Sequence, residues 1–216
     1  MIFEAQFITT FPCWLVATDE AGRGPLAGPV VAGAVAFKVT SAAELTTLIQ
    51  DLRARGVGDS KKLTEKKRQE LAGLKWTSLR CAQVEFDAQR IDRINILQAS
   101  LEAMKAAALA VVSSEEKLPV VWLIDGNKVP REVNSLWQVH AVVKGDAKSA
   151  LIGLASILAK VHRDQLMQGF HQLYPQYGFD QHAGYPTSSH RKAIEEFGPS
   201  PIHRTTFKGV REYCSR

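Results

Sequence analysis

Val120-Val121-Trp122-Leu123-Ile124 is a continuous apolar run that ends on Asp125-Gly126-Asn127. A strand with one face in water alternates polar and apolar residues. A run with no polar position reads instead as a strand buried on both faces, as in a parallel sheet covered by helices. Downstream, Val139 to Val143 reads as another strand. A long helix follows from about Ser149 to Leu173, with Leu151, Leu154, Leu158 and Val161 on one stripe. Gly153, Ala155, Ser156 and Ala159 leave room on that helix for a closely packed neighbour. Upstream, Ile94, Leu97, Leu101, Met104, Ala108 and Val111 recur at steps of three and four, which predicts one helix from Asp92 to about Val112. Nearer the start, Trp14 to Thr18 and Val30 to Phe37 read as two strands paired in an antiparallel hairpin. Gly22, Gly24, Pro25, Gly28 and Pro29 punctuate the turn between them. Ser78 to Phe86 reads as a third strand. Ser41 with Glu44 forms a capping box for a helix through about Ala54, and further helices are read over Thr64 to Leu74 and Ser189 to Phe197. A meander of strands followed by strands alternating with helices predicts an α/β domain with a mixed sheet flanked by helices.

The 216 residues suit a single domain over 1–216, with 45% hydrophobic and 23% charged residues. That balance excludes intrinsic disorder and fibrous repeats. Lys and Arg exceed Asp and Glu by 27 to 22, a mild basic excess that permits a polyanionic partner without requiring one. Cys13, Cys81 and Cys214 are odd in number and far apart, so neither a zinc cluster nor a disulfide framework is expected. The first basic residue is Arg23 and Glu4 interrupts the first apolar run, unlike a secretory signal. The apolar run Leu26 to Phe37 is too short to span a bilayer and contains Pro29. A cytoplasmic protein with no membrane partner is expected.

Acidic residues follow three of the apolar strands: Asp19-Glu20, Asp125 in Leu-Ile-Asp-Gly-Asn, and Asp146 in Val-Val-Lys-Gly-Asp. In open α/β sheets, ligands bind outside the carboxyl ends of the strands. Four converging carboxylates would repel one another, and a hard divalent cation would remove that penalty. An oxygen-only set without His or Cys favours Mg²⁺ or Mn²⁺ over Zn²⁺. Taken singly, an Asp after a strand is usually a turn former or helix cap; for Asp146 that reading alone would win, and for Asp125 the two are about even. Three strand ends together point to a metal site. Gly22-Arg23-Gly24 follows the acidic pair directly, where glycine backbone can approach a phosphate or hydroxyl and Arg adds charge, although a plain hairpin turn would look the same. Ser60-Lys61-Lys62 lies in a Gly-flanked loop, and Tyr185 lies in an aromatic loop near His190, Arg191 and Lys192. Such residues can hold phosphates and stack on a base or sugar, while Lys66 to Arg68 fits a solvated helix face.

Together these residues resemble the ribonuclease HII family. The resemblance is carried by Asp19-Glu20-Ala21-Gly22-Arg23-Gly24-Pro25, Asp59-Ser60-Lys61-Lys62-Leu63, Leu123-Ile124-Asp125-Gly126-Asn127 and Lys144-Gly145-Asp146. Ala155 to Val161, Tyr174 to Phe179 and His182 to Thr187 continue it in the family's order, over residues 14 to about 207. The resemblance implies a ribonuclease H-like fold with a small helical C-terminal extension from about 175 to 216 that binds substrate. It implies cleavage of RNA within RNA–DNA hybrids and nicking of duplex DNA at single embedded ribonucleotides, and a monomer is expected. It implies that Asp19, Glu20, Asp125 and Asp146 hold two Mg²⁺ or Mn²⁺ ions, and that Gly22, Arg23 and Gly24 read the ribose 2′-OH. Tyr185 would stack beside the junction, with Ser60, Lys61, Lys62 and Lys144 as further substrate contacts. Three features depart from the family pattern: Ala183 stands where Lys is frequent, Gly153-Leu154 replaces a Ser-Ala pair, and the stretch from Asp125 to Asp146 is longer than in many members.

Two other readings compete. A catalytically silent hybrid binder would have little reason to keep four carboxylates facing a polyanion. A small-molecule phosphatase would be expected to carry a nucleophilic Asp-x-Asp motif, which is absent. No His falls within the expected carboxylate cluster, and Asp164 reads as an outer or structural acid.

Overall fold

In the computed structural model, which describes residues 2–58, 60–113 and 115–214 and leaves the Lys61 side chain undescribed, the first two apolar runs pair as expected. Strand β1 (Cys13–Ala21) lies antiparallel to β2 (Val30–Val39), which pairs antiparallel with β3 (Arg80–Phe86). On its other side β1 runs parallel to β4 (Val120–Asp125), and β4 runs parallel to β5 (Trp137–Val142). The sheet order is β3-β2-β1-β4-β5, so the two strands that carry Asp19, Glu20 and Asp125 near their ends are neighbours.

Strand alternation divides the core. Cys13, Leu15 and Ala17 of β1 and Val121 and Leu123 of β4 face one layer with Leu151, Leu154 and Leu158. Trp14 and Val16, with Val120, Trp122 and Ile124, face the other layer with Leu101, Met104 and Ala108. Both faces of β4 are therefore covered, which is why its sequence carries no polar position.

The first layer is built by α1 (Ala42–Ala54), α2 (Glu65–Gly73) and α6 (Ala150–Leu173), and the second by α4 (Ile96–Val111). The small residues of α6 meet β2. A Cβ added at Gly33 would come within 2.2 Å of the Ala155 carbonyl oxygen, so only glycine permits this approach. Helix starts are capped by side chains, Ser41 accepting from the Glu44 N–H and Ser149 from the Ile152 N–H. The buried Glu4 carboxylate in turn accepts from the Ser149 hydroxyl and the Ala150 N–H, fastening the N-terminal segment to the start of α6.

Two expectations need correction. The helix read from Asp92 to Val112 is two helices, α3 (Ala88–Ile94) and α4, bent by 117°. Asn95 between them has φ +66° and caps α4 by accepting from the Gln98 N–H, while Asp87 caps α3. Apolar periodicity runs through the bend because Ile94 and Ile96 both pack beside Ile91. Spacing along the chain counts residues, not axis direction. Second, β1 does not stop before Asp19-Glu20 but carries both acids within it to Ala21. Asp146 likewise does not follow β5 directly: Lys144 (φ +56°) turns the chain into α5 (Gly145–Lys148), and Asp146 lies in that single turn.

The C-terminal segment adds α7 (Phe179–His182) and α8 (Ser188–Phe197) around its own small core of Met167, Phe179 and Ile194. No single helix among the described residues is long and apolar enough to cross a membrane.

Candidate active site

Parallel register sets the centre of the site. Thr18 of β1 lies opposite Ile124 of β4, so Asp19 and Asp125 are the next residues along two adjacent strands. By alternation both face the α6 layer, and Glu20 faces the α4 side at the same edge. Asp19 is only 5% exposed. Its carboxylate accepts from the Glu20 N–H at 2.7 Å and from the Ser156 side chain on α6. Burial first, then Glu20 and Asp125, push its pKa well above the usual carboxylate range. Burial also raises Glu20; Arg23, whose Nη1 lies 3.3 Å from Glu20 Oε1, offsets this in part, and Asp125 adds to it. Asp125 Oδ1 accepts from the Gly145 N–H at 2.6 Å. That bond brings α5 against the strand end, and a Cβ at Gly145 would meet Ile152 Cδ1 at 2.7 Å.

Asp146 is buried beside this point, and its Oδ1 accepts from the Ala147 N–H at 2.9 Å. Among the described residues no three His, Cys, Asp or Glu side chains are already drawn into a closed metal cage. The donor chemistry nevertheless fits a hard divalent cation. The carboxylates of Asp19, Glu20 and Asp125 are crowded, two of them with raised pKa values, and a cation would favour their ionised form.

A cleft of about 280 Å³ opens from these carboxylates along Gly22, Arg23 and Gly24 to Tyr185. Gly22 has φ +97°, and a Cβ there would lie 2.2 Å from Arg163 Nε. Gly24 faces the Tyr185 ring, whose Cε1 would be 3.7 Å from a Cβ at that position. Tyr185 is 44% exposed, leaving a ring face open to a ligand. Asp19, Glu20, Asp125, Gly22, Arg23, Gly24, Ser60 and Tyr185 thus line one cleft.

The remaining candidates lie differently. Ser60 is buried, and its hydroxyl bonds that of Ser156 at 2.8 Å, so it backs the Asp19 carboxylate through Ser156. Lys62 is exposed, and Asp59 and the Lys61 side chain fall outside the described residues. Lys144 is exposed at the turn before α5 and does not line the cleft. Asp164 accepts from Lys160 Nζ at 2.6 Å, and Lys160 lines the cleft. The residues missed in the sequence are Arg68, Arg163 and Arg204. Arg68 lines the cleft and holds the Ser60 and Leu63 carbonyls. Arg163 and Arg204 hold carbonyls of the loop between β1 and β2. A buried Arg bonded to carbonyls leaves no trace in spacing or periodicity.

The ribonuclease HII family model matches residues 16–210, which include Asp19, Glu20, Asp125, Asp146, the glycine loop and Tyr185. The chain belongs to the ribonuclease HII family. It is 41% identical over 218 residues to a ribonuclease HII of Chlamydia pneumoniae, covering 99% of this chain and 92% of that one. It is 46% identical over 197 residues to a ribonuclease HII of Francisella tularensis subsp. mediasiatica, covering 91% and 96%. The fold is similar to the crystal structure of ribonuclease H2 from Pyrococcus horikoshii OT3, with a TM-score of 0.71, 27% identity and coverage of 94% and 98%. A ribonuclease HII is a metal-dependent nuclease that cleaves RNA in RNA–DNA hybrids. The mixed five-stranded sheet flanked by helices agrees with that family's architecture.

Proposed function

We propose that this ribonuclease HII cuts the RNA strand of hybrids and also nicks duplex DNA on the 5′ side of a single embedded ribonucleotide, leaving a 3′-hydroxyl and a 5′-phosphate. The observation that carries the reading is adjacency. The crowded carboxylates of β1 and β4 share one cleft with a glycine-rich backbone turn and an exposed tyrosine ring. A ribose differs from a deoxyribose only in its 2′-OH, a donor and an acceptor. A site built to bond that hydroxyl rejects the sugar lacking it, because its own polar groups are left unpaired. Gly22 and Gly24 bring backbone groups to the sugar, Tyr185 stacks on its neighbour, and the scissile phosphate then lies toward Asp19 and Glu20.

Asp19, Glu20, Asp125 and Asp146 would hold two Mg²⁺ or Mn²⁺ ions, which supply water activation and charge neutralisation at the leaving 3′ oxygen. Asp146 would join the set through the Gly145–Asp125 bond that already draws α5 to the strand end. Ser156 and Ser60 orient the Asp19 carboxylate. Lys61, Lys62 and Lys144 contact phosphates along the duplex, and residues from about 175 onward form the extension that carries Tyr185 to the cleft. The enzyme acts as a monomer.

The test is a denaturing gel of end-labelled duplexes, with and without one ribonucleotide, in Mg²⁺ or Mn²⁺ and in chelator. A single metal-dependent cut 5′ to the ribonucleotide is expected, and Tyr185→Ala should weaken that cut far more than it weakens duplex binding. Cleavage of all-DNA duplex at a comparable rate would refute the hydroxyl-reading proposal.

A further inference from the structure

Two guanidinium groups lie buried behind the Gly22–Gly24 loop, Arg163 at 1% and Arg204 at 0% exposure. Among the described residues neither forms an ion pair, although Asp164 and Asp92 act on Arg163 and Arg204 from farther away. Arg204 donates to the carbonyls of Gly22, Arg23, Gly28 and Pro29. Arg163 donates to Pro29 at 3.0 Å, to Ala27 at 3.2 Å and, across the cleft wall, to Ala183 at 3.0 Å.

Burying two like charges without a carboxylate in direct contact is costly, and well-packed apolar side chains would stabilise the fold at least as well. What Arg adds is geometry, five donors in a fixed planar fork. Here the forks converge on one loop from two directions. Arg163 comes from α6, and Arg204 comes from the C-terminal extension. The extension is stitched to the same loop through main chain as well, by Leu26 N–H to Gly184 O and Arg204 N–H to Leu26 O, both 2.8 Å. The held carbonyls flank the amides of Gly22, Arg23 and Gly24, while the Ala183 carbonyl lies two residues before Tyr185. The carboxylates of Asp19, Glu20 and Asp125, in contrast, stand on the strands β1 and β4, which pair with each other in the sheet.

We propose that Arg163 and Arg204 are positioning residues that lock the Gly22–Gly24 backbone and the Tyr185 loop into one unit, and that selectivity for a lone ribose depends on this lock. The inference rests on the single-ribonucleotide reading above. A long hybrid offers a 2′-OH at every sugar and many registers in which to seat one. An embedded ribonucleotide offers one register, so a displaced reading loop harms it more.

The experiment compares wild type with Arg204→Lys, Arg204→Met and Arg163→Lys, measuring kcat/KM on a long RNA–DNA hybrid and on a duplex with one ribonucleotide, with thermal unfolding alongside. Lysine keeps the charge but cannot reach several carbonyls. Misplacement of about 1 Å can reduce a rate by about a hundredfold, so single-ribonucleotide nicking should fall by about that factor in both Arg204 variants. The ratio of nicking to hybrid cleavage should fall at least about tenfold. Parallel loss on both substrates, or a wild-type ratio in Arg204→Lys, would overturn the proposal. So would failure of both lysine variants to fold, which would make the role one of stability. A wild type that cleaves hybrid but does not nick the lone ribonucleotide would instead remove the underlying reading, and the inference with it.

Discussion

Asp125→Asn should make the metal-free protein more stable and the enzyme nearly inactive. The amide oxygen can still accept from the Gly145 N–H, so the α5 contact survives. The substitution removes one of the charges that raise Asp19 and Glu20. Adjacent strands lie about 4.8 Å apart, and two unit charges at that separation repel by ~3 kcal/mol at an effective dielectric of ~20. Asp125 is half-buried, so screening lowers the expected gain to about 1–2 kcal/mol. In a domain of this size that raises Tm by ~2–8 °C in chelator. A divalent ion should then stabilise wild type more than the variant. Loss of the proposed ligand should cost roughly 10²–10⁴-fold in hybrid cleavage, the equivalent of several kcal/mol of charge stabilisation. The assay is thermal unfolding with and without Mg²⁺, paired with cleavage of a labelled hybrid. A variant less stable than wild type in chelator, or one that cleaves as fast in Mg²⁺, would refute the electrostatic account of the carboxylate cluster.

Other perturbations test other parts. Gly33→Ala should cost about 3 kcal/mol, because its Cβ would strike the Ala155 carbonyl at 2.2 Å, and Tm should fall by ~6–12 °C; an unchanged melting curve would contradict the close approach of β2 and α6. His190 and His203, whose Nε2 atoms lie 3.0 Å apart, are held neutral by burial, with pKa values lowered to about 4 and about 3. Each binds its proton later in the folded than in the unfolded chain, so stability is full above pH 6.5 and falls as pH drops toward 4, by up to ~1.4 kcal/mol per pH unit for each His. Urea unfolding at several pH values should show that slope, and His203→Asn should reduce it by about half. Replacing Lys61 and Lys62 together by Ala should weaken duplex binding equally across sequences and lower the salt slope by roughly 0.9 per lost phosphate contact; an unchanged slope would return both to solvated surface.

Legibility in the sequence followed physical origin. The neighbourhood of Asp19 and Asp125 was readable because two apolar runs each terminate in an acid, and a mixed sheet brings such ends together. The shape of the helical layer was less so. The stripe from Ile94 to Val111 gave no sign of the turn at Asn95, since both pieces bury the same kind of residue. Ser60 read as a phosphate contact from its two following lysines, but Ser156, 96 residues away, turns its hydroxyl inward. Arg204 was invisible for a related reason. Its partners are carbonyls about 180 residues earlier, and carbonyls have no side-chain signature.

One helix joins the parts of this site. Ser156, Lys160 and Arg163 are spaced by four and three residues, so they share one face of α6. Ser156 touches the Asp19 carboxylate, Lys160 lines the cleft between, and Arg163 grips the loop beneath Gly22. Seven residues of helix amount to a rise of about 10 Å, set by backbone geometry rather than by side-chain packing. Gly33 lets this face lie close to the sheet, and Ser149 with Glu4 fixes its start. The distance between the Asp19 carboxylate and the Gly22–Gly24 loop is thus measured along a single rigid element. A shift of α6 would move Ser156 and Arg163 together, displacing the support of Asp19 and the hold on the loop at once. On the proposed reading, seating the ribose and aligning the phosphate would therefore be one event, and a sugar that fails to engage the loop would leave its phosphate out of line with the carboxylates.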